Sequence, residues 1–160
     1  SNNSKIWNII EEDFMSETCR LHFDSPRRPR LPSRSGLNWG NANAHVNPED
    51  AYIPIRHGDI ADHPAIFPTV NQGLAIINVI WDDGTLMTCS FEGTQDFTGV
   101  IYATKISSYD DKSVLGHYLR LRIGVSATAI ITDADLDRYG RNHIDITRND
   151  DGTFLFDFSV

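Results

Sequence analysis

The sequence predicts a mainly β domain with a few short helices. Its 160 residues suit one domain. Apolar and polar residues alternate in several short runs, which is the period of a half-buried strand. Turn residues such as the Asp-Gly pair at 83–84 separate these runs. Because strand runs and hairpin turns cluster, we expect roughly six or seven strands in a mixed, mainly antiparallel barrel or sandwich rather than a parallel sheet.

The first third of the chain carries few regular elements. Residues 5–17 have apolar side chains at helical spacing, which predicts a short amphipathic helix or a connector from a preceding domain. Residues 19–23 alternate and predict a strand. Residues 49–55 also alternate, and Pro54 suits an edge strand because proline cannot donate to a sheet.

The remaining two thirds carry most of the predicted elements. Residues 58–67 predict a helical turn broken by Pro64, and residues 111–125 predict an amphipathic helix with Asp110 or Asp111 near its N-cap. Gly140 closes a further helical turn. The predicted strands and turns are a buried strand at 74–81, a hairpin turn at 82–85, strands at 86–93 and 100–107, a short run at 129–132, a helical turn at 134–140, and strands at 143–148 and 153–160 around a turn at 149–152.

The charge of the chain is acidic overall but basic in one segment. The chain has 22 acidic and 14 basic side chains and a net charge of −8, and an acidic protein is not an obvious nucleic-acid binder. However, 25–48 contains no acidic residue. The segment 24–48 holds four of the seven prolines and four arginines, which predicts a surface loop with a concentrated positive charge.

No catalytic or targeting motif occurs in the sequence. There is no P-loop, no G-x-G-x-x-G, no G-x-S-x-G, no H-E-x-x-H and no His-x-Lys of phospholipase-D nucleases. No apolar run approaches the ~18 residues that span a bilayer, and no secretory signal is visible. The chain lacks an initiator Met, so we expect a processed chain or a fragment of a longer protein. Cys19 and Cys89 form no C-x-x-C motif, and we expect both to be buried and reduced.

Two clusters of possible metal ligands occur in the sequence, one of His and Asp residues and one that is mainly acidic. His57, Asp59, Asp62 and His63 include ligands that Zn²⁺ or Mn²⁺ accepts, although a surface turn with capping carboxylates explains the same residues. Residues 133–145 begin like a calcium loop but lack its glycine and its final glutamate. The first cluster leaves open a metal-dependent hydrolase. A β-barrel module that binds protein or carbohydrate through its loops is a further alternative.

Three long segments carry a resemblance to a known family. They are SRSGLNWGNANAHVNPEDAYIPI (33–55), FEGTQDFTGVIYATKISSYDDKSVLGHYLRLRIGV (91–125) and ITDADLDRYGRNHIDITRNDDGTFLFDFS (131–159). Together they resemble the C-terminal DNA-recognition domain of NgoFVII-type restriction endonucleases, which is similar to the EcoRII N-terminal and BfiI C-terminal domains. The likeness runs from about Arg30 to the C-terminus.

The resemblance implies a fold and a function. The fold would be a seven-stranded open pseudobarrel of the plant B-three type with short flanking helices, spanning 19–160 after a helical connector at 1–18. The function would be sequence-specific recognition of double-stranded DNA, with two loop arms clasping the major groove. The nuclease centre would lie in a phospholipase-D-like domain, N-terminal in the same polypeptide, and an ATP-dependent helicase-like subunit is a possible partner. The chain itself would carry no catalytic residue, metal or cofactor and would work in the prokaryotic cytoplasm.

The candidate DNA contacts fall in two segments, which we call the N-arm (24–48) and the C-arm (93–105). Arg and Asn suit guanine and adenine edges respectively, and arginines also suit phosphates. Trp39 is equally explained as an anchor of its loop, Asp96 as a turn cap, and the arginine-rich loop as a solvated linker. The predicted contacts are Arg27, Arg28, Arg30, Arg34, Ser35, Asn38, Trp39, Gly40, Asn41, Asn43, His45, Gln95, Asp96, Thr98, Tyr102, Thr104 and Lys105.

Two other sets of residues stay outside the predicted site. Arg120 and Arg122 lie on the predicted helix at 111–125 and are expected to make surface or structural contacts. Residues 139–141 match the family but are expected to end a helix. The chain departs from the family at 102–105, where a Pro-Lys pair is usual after the tyrosine, so the role carried over to Lys105 rests on a weaker match.

Overall fold

A computed structural model describes residues 17–25, 27–43 and 47–160 of the chain. The predicted helix at 5–17 therefore lies outside the described residues, except for Glu17. The described strands are β1 (Thr18–His22), β2 (Ile53–Pro54), β3 (Ile76–Trp81), β4 (Leu86–Glu92), β5 (Gln95–Phe97), β6 (Val100–Tyr102), β7 (Lys105–Ser108), β8 (His143–Arg148) and β9 (Phe154–Asp157). The described helices are α1 (His57–Asp62), α2 (Ser113–Ile123) and α3 (Asp133–Tyr139), with 3-10 helices at Gly36–Asn41 and Val70–Gln72.

Seven strands form one sheet in the order β1-β8-β9-β3-β4-β7-β2. Every pair in it is antiparallel except β3 with β9, which is parallel. The sheet curls so that its two edges approach each other. Just after β2, the Arg56 guanidinium donates to the carbonyl oxygen of His22 at the end of β1, at 2.9 Å. The sheet is thus a nearly closed barrel, which confirms the predicted mixed pseudobarrel.

The core fills the inside of this barrel with the inward side of each strand. On β8, Ile144 and Ile146 are buried while their neighbours are half-exposed, and on β9 Phe154 and Phe156 alternate with Leu155 in the same way. Each fully buried Ile or Phe stabilises the fold by roughly 1.5–3 kcal/mol. Alternation in the sequence therefore predicted the core correctly.

The two cysteines belong to the core. Both are buried and free, so the expectation of reduced structural thiols is confirmed. Burial raises the pKa of the Cys19 thiol, and likewise that of Cys89, to about 12. Neither thiol is poised for nucleophilic chemistry, because the thiolate is the reactive form.

Two predicted helix boundaries, Asp111 at the start of α2 and Gly140 at the end of α3, are confirmed. The Asp111 carboxylate accepts from the backbone N–H of Ser113 at the start of α2, at 3.0 Å. The Thr132 hydroxyl accepts from the backbone N–H of Asp135 and caps α3. α2 and α3 end at Gly124 and Gly140, whose φ angles of +85° and +99° favour glycine. No described helix has the length and apolar character needed to span a bilayer.

Two predicted strands differ in the structure. The run at 100–107 is two strands rather than one, because β6 pairs with β5 in a separate hairpin while β7 pairs with β4 and β2. Residues 129–132 form no strand. Their backbone bonds instead to the side chain of Asn38, in the N-arm.

Candidate nucleic-acid interface

The N-arm presents four arginines whose charge is not neutralised within the described residues. Arg27, Arg28, Arg30 and Arg34 are all exposed, and no described carboxylate lies within ion-pair distance of them. Most of the other described arginines have a hydrogen-bond or ion-pair partner. One example is Arg20, whose Nε donates to the Asp145 carboxylate at 3.0 Å. Several arginines without carboxylate partners on one loop of an acidic protein create a local positive potential, which attracts a polyanion.

The second half of the N-arm is built around Asn38, which is a correction to the predicted site. Asn38 is 1 % exposed. Its amide nitrogen donates to the carbonyl oxygens of Pro32 and Ile131, each at 2.8 Å, and its Oδ1 accepts from the Ile131 N–H at 2.7 Å. Both amide donors are engaged and the side chain is almost wholly buried, so it offers no donor to a base edge. Asn38 is a structural residue of the arm and not a DNA contact.

Gly40 also has a structural role instead of the close groove approach expected from the sequence. A Cβ at this position would lie 2.5 Å from the carbonyl oxygens of Asn47 and Pro48, so only glycine lets the two sides of the arm meet. Asn41 is exposed, and its Nδ2 donates to the Ser33 carbonyl oxygen at 2.9 Å, which closes the loop that carries Arg34. No described residue donates a hydrogen bond to its Oδ1.

Three further N-arm residues of the predicted site remain. Asn43 is exposed and Ser35 is half-buried just before the 3-10 helix. His45 lies outside the described residues.

Trp39 links the two arms. Its ring packs edge-to-face on Tyr52, with ring centroids 5.1 Å apart. The Lys105 ammonium, at the end of the C-arm, lies 4.4 Å from the Trp39 ring centroid and 5.3 Å from that of Tyr52. Cation–π contacts contribute about 0.5–2 kcal/mol depending on exposure. The geometry favours the anchor interpretation of Trp39, and it positions Lys105 where the two arms meet.

The C-arm is a β-hairpin that uses many of its polar groups to hold itself in place. The Gln95 side chain donates to the carbonyl oxygens of Ile55 and Ala103, at 2.9 and 2.7 Å. The Asp96 carboxylate accepts from the Gly99 N–H at 2.9 Å, so it caps the turn. The Thr104 hydroxyl donates to the Glu92 carbonyl oxygen at 3.3 Å. Each of these side chains therefore has a structural partner in the hairpin or at its root.

The hairpin has an inner and an outer face. Tyr102 faces inward and is 8 % exposed, so its predicted contact with DNA is corrected to a core position. Asp96 pairs with Ile101 across the strands, and both are exposed. Thr98 is exposed in the turn, where it adopts a positive φ of 51°. The exposed surface of the C-arm thus includes Asp96, Thr98, Val100 and Ile101, and the last two were missed because an apolar residue in a strand run is expected inside.

The start of α1 lies between the arms, and sequence reasoning did not assign it to the interface. Arg56 lines a pocket of about 400 Å³ together with Ser25 and Pro29 of the N-arm, and three carboxylates, those of Asp24, Asp59 and Asp62, line it as well. On the other side, the His57 ring packs on Phe97 of the C-arm, with centroids 5.8 Å apart. Only the position of these residues directly after β2 could have indicated this, since their neighbours in space are distant in sequence.

Comparison with protein families agrees with this architecture. A family model described as the NgoFVII C-terminal B3-like DNA-binding domain matches residues 13–150. The chain belongs to this family. The match confirms the resemblance found in the sequence, and it makes the chain a DNA-binding domain of the kind that restriction enzymes use for recognition. No curated protein matches the chain.

The B3-like domain does not assemble the alternative metal site. Asp59 accepts from the Arg56 N–H at 2.8 Å as a helix cap, and His63 contacts Glu17 at 2.5 Å. The His57 ring packs on Phe97. Across the described residues, no three His, Cys, Asp or Glu side chains are grouped so that they could hold a metal ion. Asp59 is thus a capping carboxylate, and the arrangement of these four side chains favours the surface-turn interpretation over the metal site.

Proposed function

We propose that this B3-like domain recognises a short specific sequence in double-stranded DNA, with the N-arm and the C-arm gripping the major groove. The observation that carries the proposal is the set of four exposed arginines without carboxylate partners, on an arm that touches the second arm through Trp39 and Lys105. Major-groove edges distinguish all four base pairs, so two side-chain-bearing loops suffice to specify a short site.

The arms divide the work between phosphate and base contacts in this proposal. Arg27, Arg28 and Arg30 contact phosphates, which position the domain without specifying sequence. Arg34 donates to guanine, and Asn41 and Asn43 contact adenine. On the C-arm, three of the exposed residues are Asp96, Thr98 and Ile101, which suit a cytosine amino group, a phosphate and a thymine methyl group respectively. Lys105, Arg56 and His57 support the same surface.

Catalysis belongs to another part of the restriction enzyme in this proposal. A nuclease domain of the same polypeptide would cleave DNA, and the B3-like domain would deliver it to its site without catalytic residues of its own. A helicase-like ATP-dependent subunit and a place in the prokaryotic cytoplasm complete the proposed assembly.

A selection from a random duplex library at two salt concentrations tests the proposal. We expect enrichment of one short motif, with an affinity that falls steeply as salt rises because bound counterions are released from DNA. Specific protein–DNA complexes bind at ~10⁻⁸–10⁻¹¹ M. Retention of DNA without any enriched motif would contradict the proposal that the domain recognises a specific DNA sequence. Failure to retain DNA at either salt concentration would contradict the proposal as a whole and favour a module that binds protein or carbohydrate.

A further inference from the structure

A buried arginine on α2 joins three segments that are distant in sequence. Arg120 is 1 % exposed. Its guanidinium donates to the carbonyl oxygens of Ala129 at 3.0 Å, Gly116 at 3.2 Å and Leu37 at 3.2 Å. Leu37 belongs to the 3-10 helix of the N-arm, so this side chain fastens the arm to α2 and to the segment that follows α2.

This arrangement is costly for a charge. Buried guanidinium groups are normally paired with carboxylates, yet no described carboxylate lies within ion-pair distance of Arg120. Burial lowers its pKa, while the more distant charge of Glu49 raises it. What the side chain does supply is a rigid planar fork that can hold three carbonyl groups in fixed directions, which lysine cannot. The Arg120 side chain therefore holds these three backbone segments in fixed positions relative to one another.

Asn38, the residue next to Leu37, repeats the connection. Its amide bonds to Ile131 on the segment after α2 and to Pro32 on the N-arm itself. A third tie lies nearby, since the Leu31 N–H donates to the Asp133 carboxylate at 3.0 Å. The N-arm between Leu31 and Asn38 is therefore held at both ends against the segment 129–133.

Arg34 is the one arginine of the N-arm that lies between these ties. In contrast, the described main chain at 27–30 forms hydrogen bonds only within its own segment, such as Arg30 N–H to the Arg28 carbonyl oxygen at 2.6 Å. Base reading needs a side chain placed in one direction, whereas a phosphate contact tolerates movement. The difference in anchoring matches the difference in proposed role.

We propose that Arg120 and Asn38 are positioning residues for base reading: they contact no DNA, and they hold the Arg34 loop in the conformation that the cognate site requires. The inference rests on the proposed function. A preorganised loop binds without the loss of conformational entropy that a mobile loop would suffer on binding. Loosening the ties should therefore lower affinity for the specific site and leave electrostatic, sequence-independent binding unchanged.

The test compares Arg120→Lys and Asn38→Asp with the unmodified chain. Arg120→Lys keeps the charge but loses the fork, and Asn38→Asp keeps the acceptor for the Ile131 N–H but loses the donors. Asp133→Ala, an exposed change that removes the tie to Leu31 together with one first-turn acid of α3, guards against variants that fail to fold. Affinities are measured for a duplex carrying the motif enriched by selection and for a scrambled duplex, well below each variant's melting temperature.

We expect the ratio of specific to scrambled affinity to fall about tenfold or more for Arg120→Lys and Asn38→Asp, and severalfold for Asp133→Ala, with the affinity for the scrambled duplex unchanged. Val79→Ala on the central strand β3 is the control, since it destabilises the core without touching the N-arm. It should keep the ratio. Folded tie variants that also keep the ratio would overturn the positioning role alone. An unmodified chain without sequence preference would overturn the proposed function and this inference with it.

Discussion

The N-arm and the C-arm are built in opposite ways. The N-arm is long and mostly irregular, and buried side chains from outside or deep within the loop hold its second half, as Arg120 and Asn38 show. Its exposed arginines are left without carboxylate partners among the described residues. The C-arm is a short hairpin that stabilises itself, with Gln95 and Asp96 bonded to its own backbone or to its root.

The two arms differ in whether the residues that hold the arm in place are also the residues that could contact DNA. In the N-arm, the buried side chains of Arg120 and Asn38 supply much of the support, so the arginines on the surface stay available. In the C-arm, Gln95, Asp96 and Thr104 already support the turn or the stem. The N-arm should therefore carry most of the DNA affinity and most of the specificity, and the C-arm should act as a rigid second wall. Substitutions in each arm and at its supports test this ranking of the N-arm above the C-arm.

The largest effect is expected from removing the phosphate-binding charge of the N-arm. Combining Arg27→Ala, Arg28→Ala and Arg30→Ala should weaken binding to every duplex by about a hundredfold or more, because a charge-assisted hydrogen bond contributes ~1.5–3 kcal/mol. The slope of log affinity against log salt should fall by about 0.9 for each lost contact. Salt titrations of binding to cognate and scrambled duplexes measure both quantities.

Arg138→Ala is the matched control for this triple variant. Arg138 is an exposed arginine on α3 whose charge is paired with Asp135, and its removal should leave the salt slope unchanged. An unchanged slope for the triple variant would show that the loop at 27–30 is only a solvated linker.

The second effect concerns one position of the DNA site. Arg34→Ala should cost ~1–3 kcal/mol on the cognate duplex and relax specificity at one base pair, since a bidentate arginine–guanine contact would be lost. Arg34→Lys should recover little of it, because lysine lacks the planar fork. Affinities for all four base pairs at each position measure the change. Uniform weakening across sequences would instead identify Arg34 as a phosphate contact.

Periodicity and turn chemistry predicted most of the barrel. Alternation located the strands, and Gly140 located the end of α3. The basic N-arm was visible because 25–48 lacks acidic residues. The break between β6 and β7 was not visible, because both halves carry strand-forming residues and only their different partner strands separate them.

The supporting side chains could not be predicted from sequence. Asn38 bonds to a residue 93 positions away, and Gln95 bonds to one 40 positions away. An asparagine or glutamine in a polar loop has the same local pattern whether it faces DNA or a buried carbonyl group. The predicted DNA contacts therefore included residues, such as Asn38 and Tyr102, that are buried and serve the fold.

A smaller effect is expected from the C-arm. Gln95→Ala removes the donors to Ile55 and Ala103, and it should lower the free energy of unfolding by ~1–2 kcal/mol. Affinity for the cognate duplex should change by less than about threefold at temperatures where the variant is folded. Chemical denaturation and DNA titration are read together, with the exposed Thr94→Ala as the control in the same arm. A tenfold loss of specificity in folded Gln95→Ala would reverse the ranking of the two arms.

The smallest effect is a pH dependence at the root of the C-arm. Partial burial raises the pKa of the Glu92 carboxyl, but hydrogen bonds from Lys112 and Ser90 outweigh it and hold this pKa below its ordinary value. A carboxyl with a lowered pKa stabilises the fold fully above its unfolded-state pKa of about 4.3, and this contribution is lost as the pH falls through the folded-state pKa. Glu92→Gln should therefore cost up to about 1 kcal/mol at neutral pH and nothing at a pH below both values. Chemical denaturation of both proteins at the two pH values measures this difference. Lys112→Met should remove most of it, because the carboxylate then loses its charged partner. A cost of Glu92→Gln that is equal at both pH values would mean that packing, and not the ion pair with Lys112, fastens the C-arm at its root.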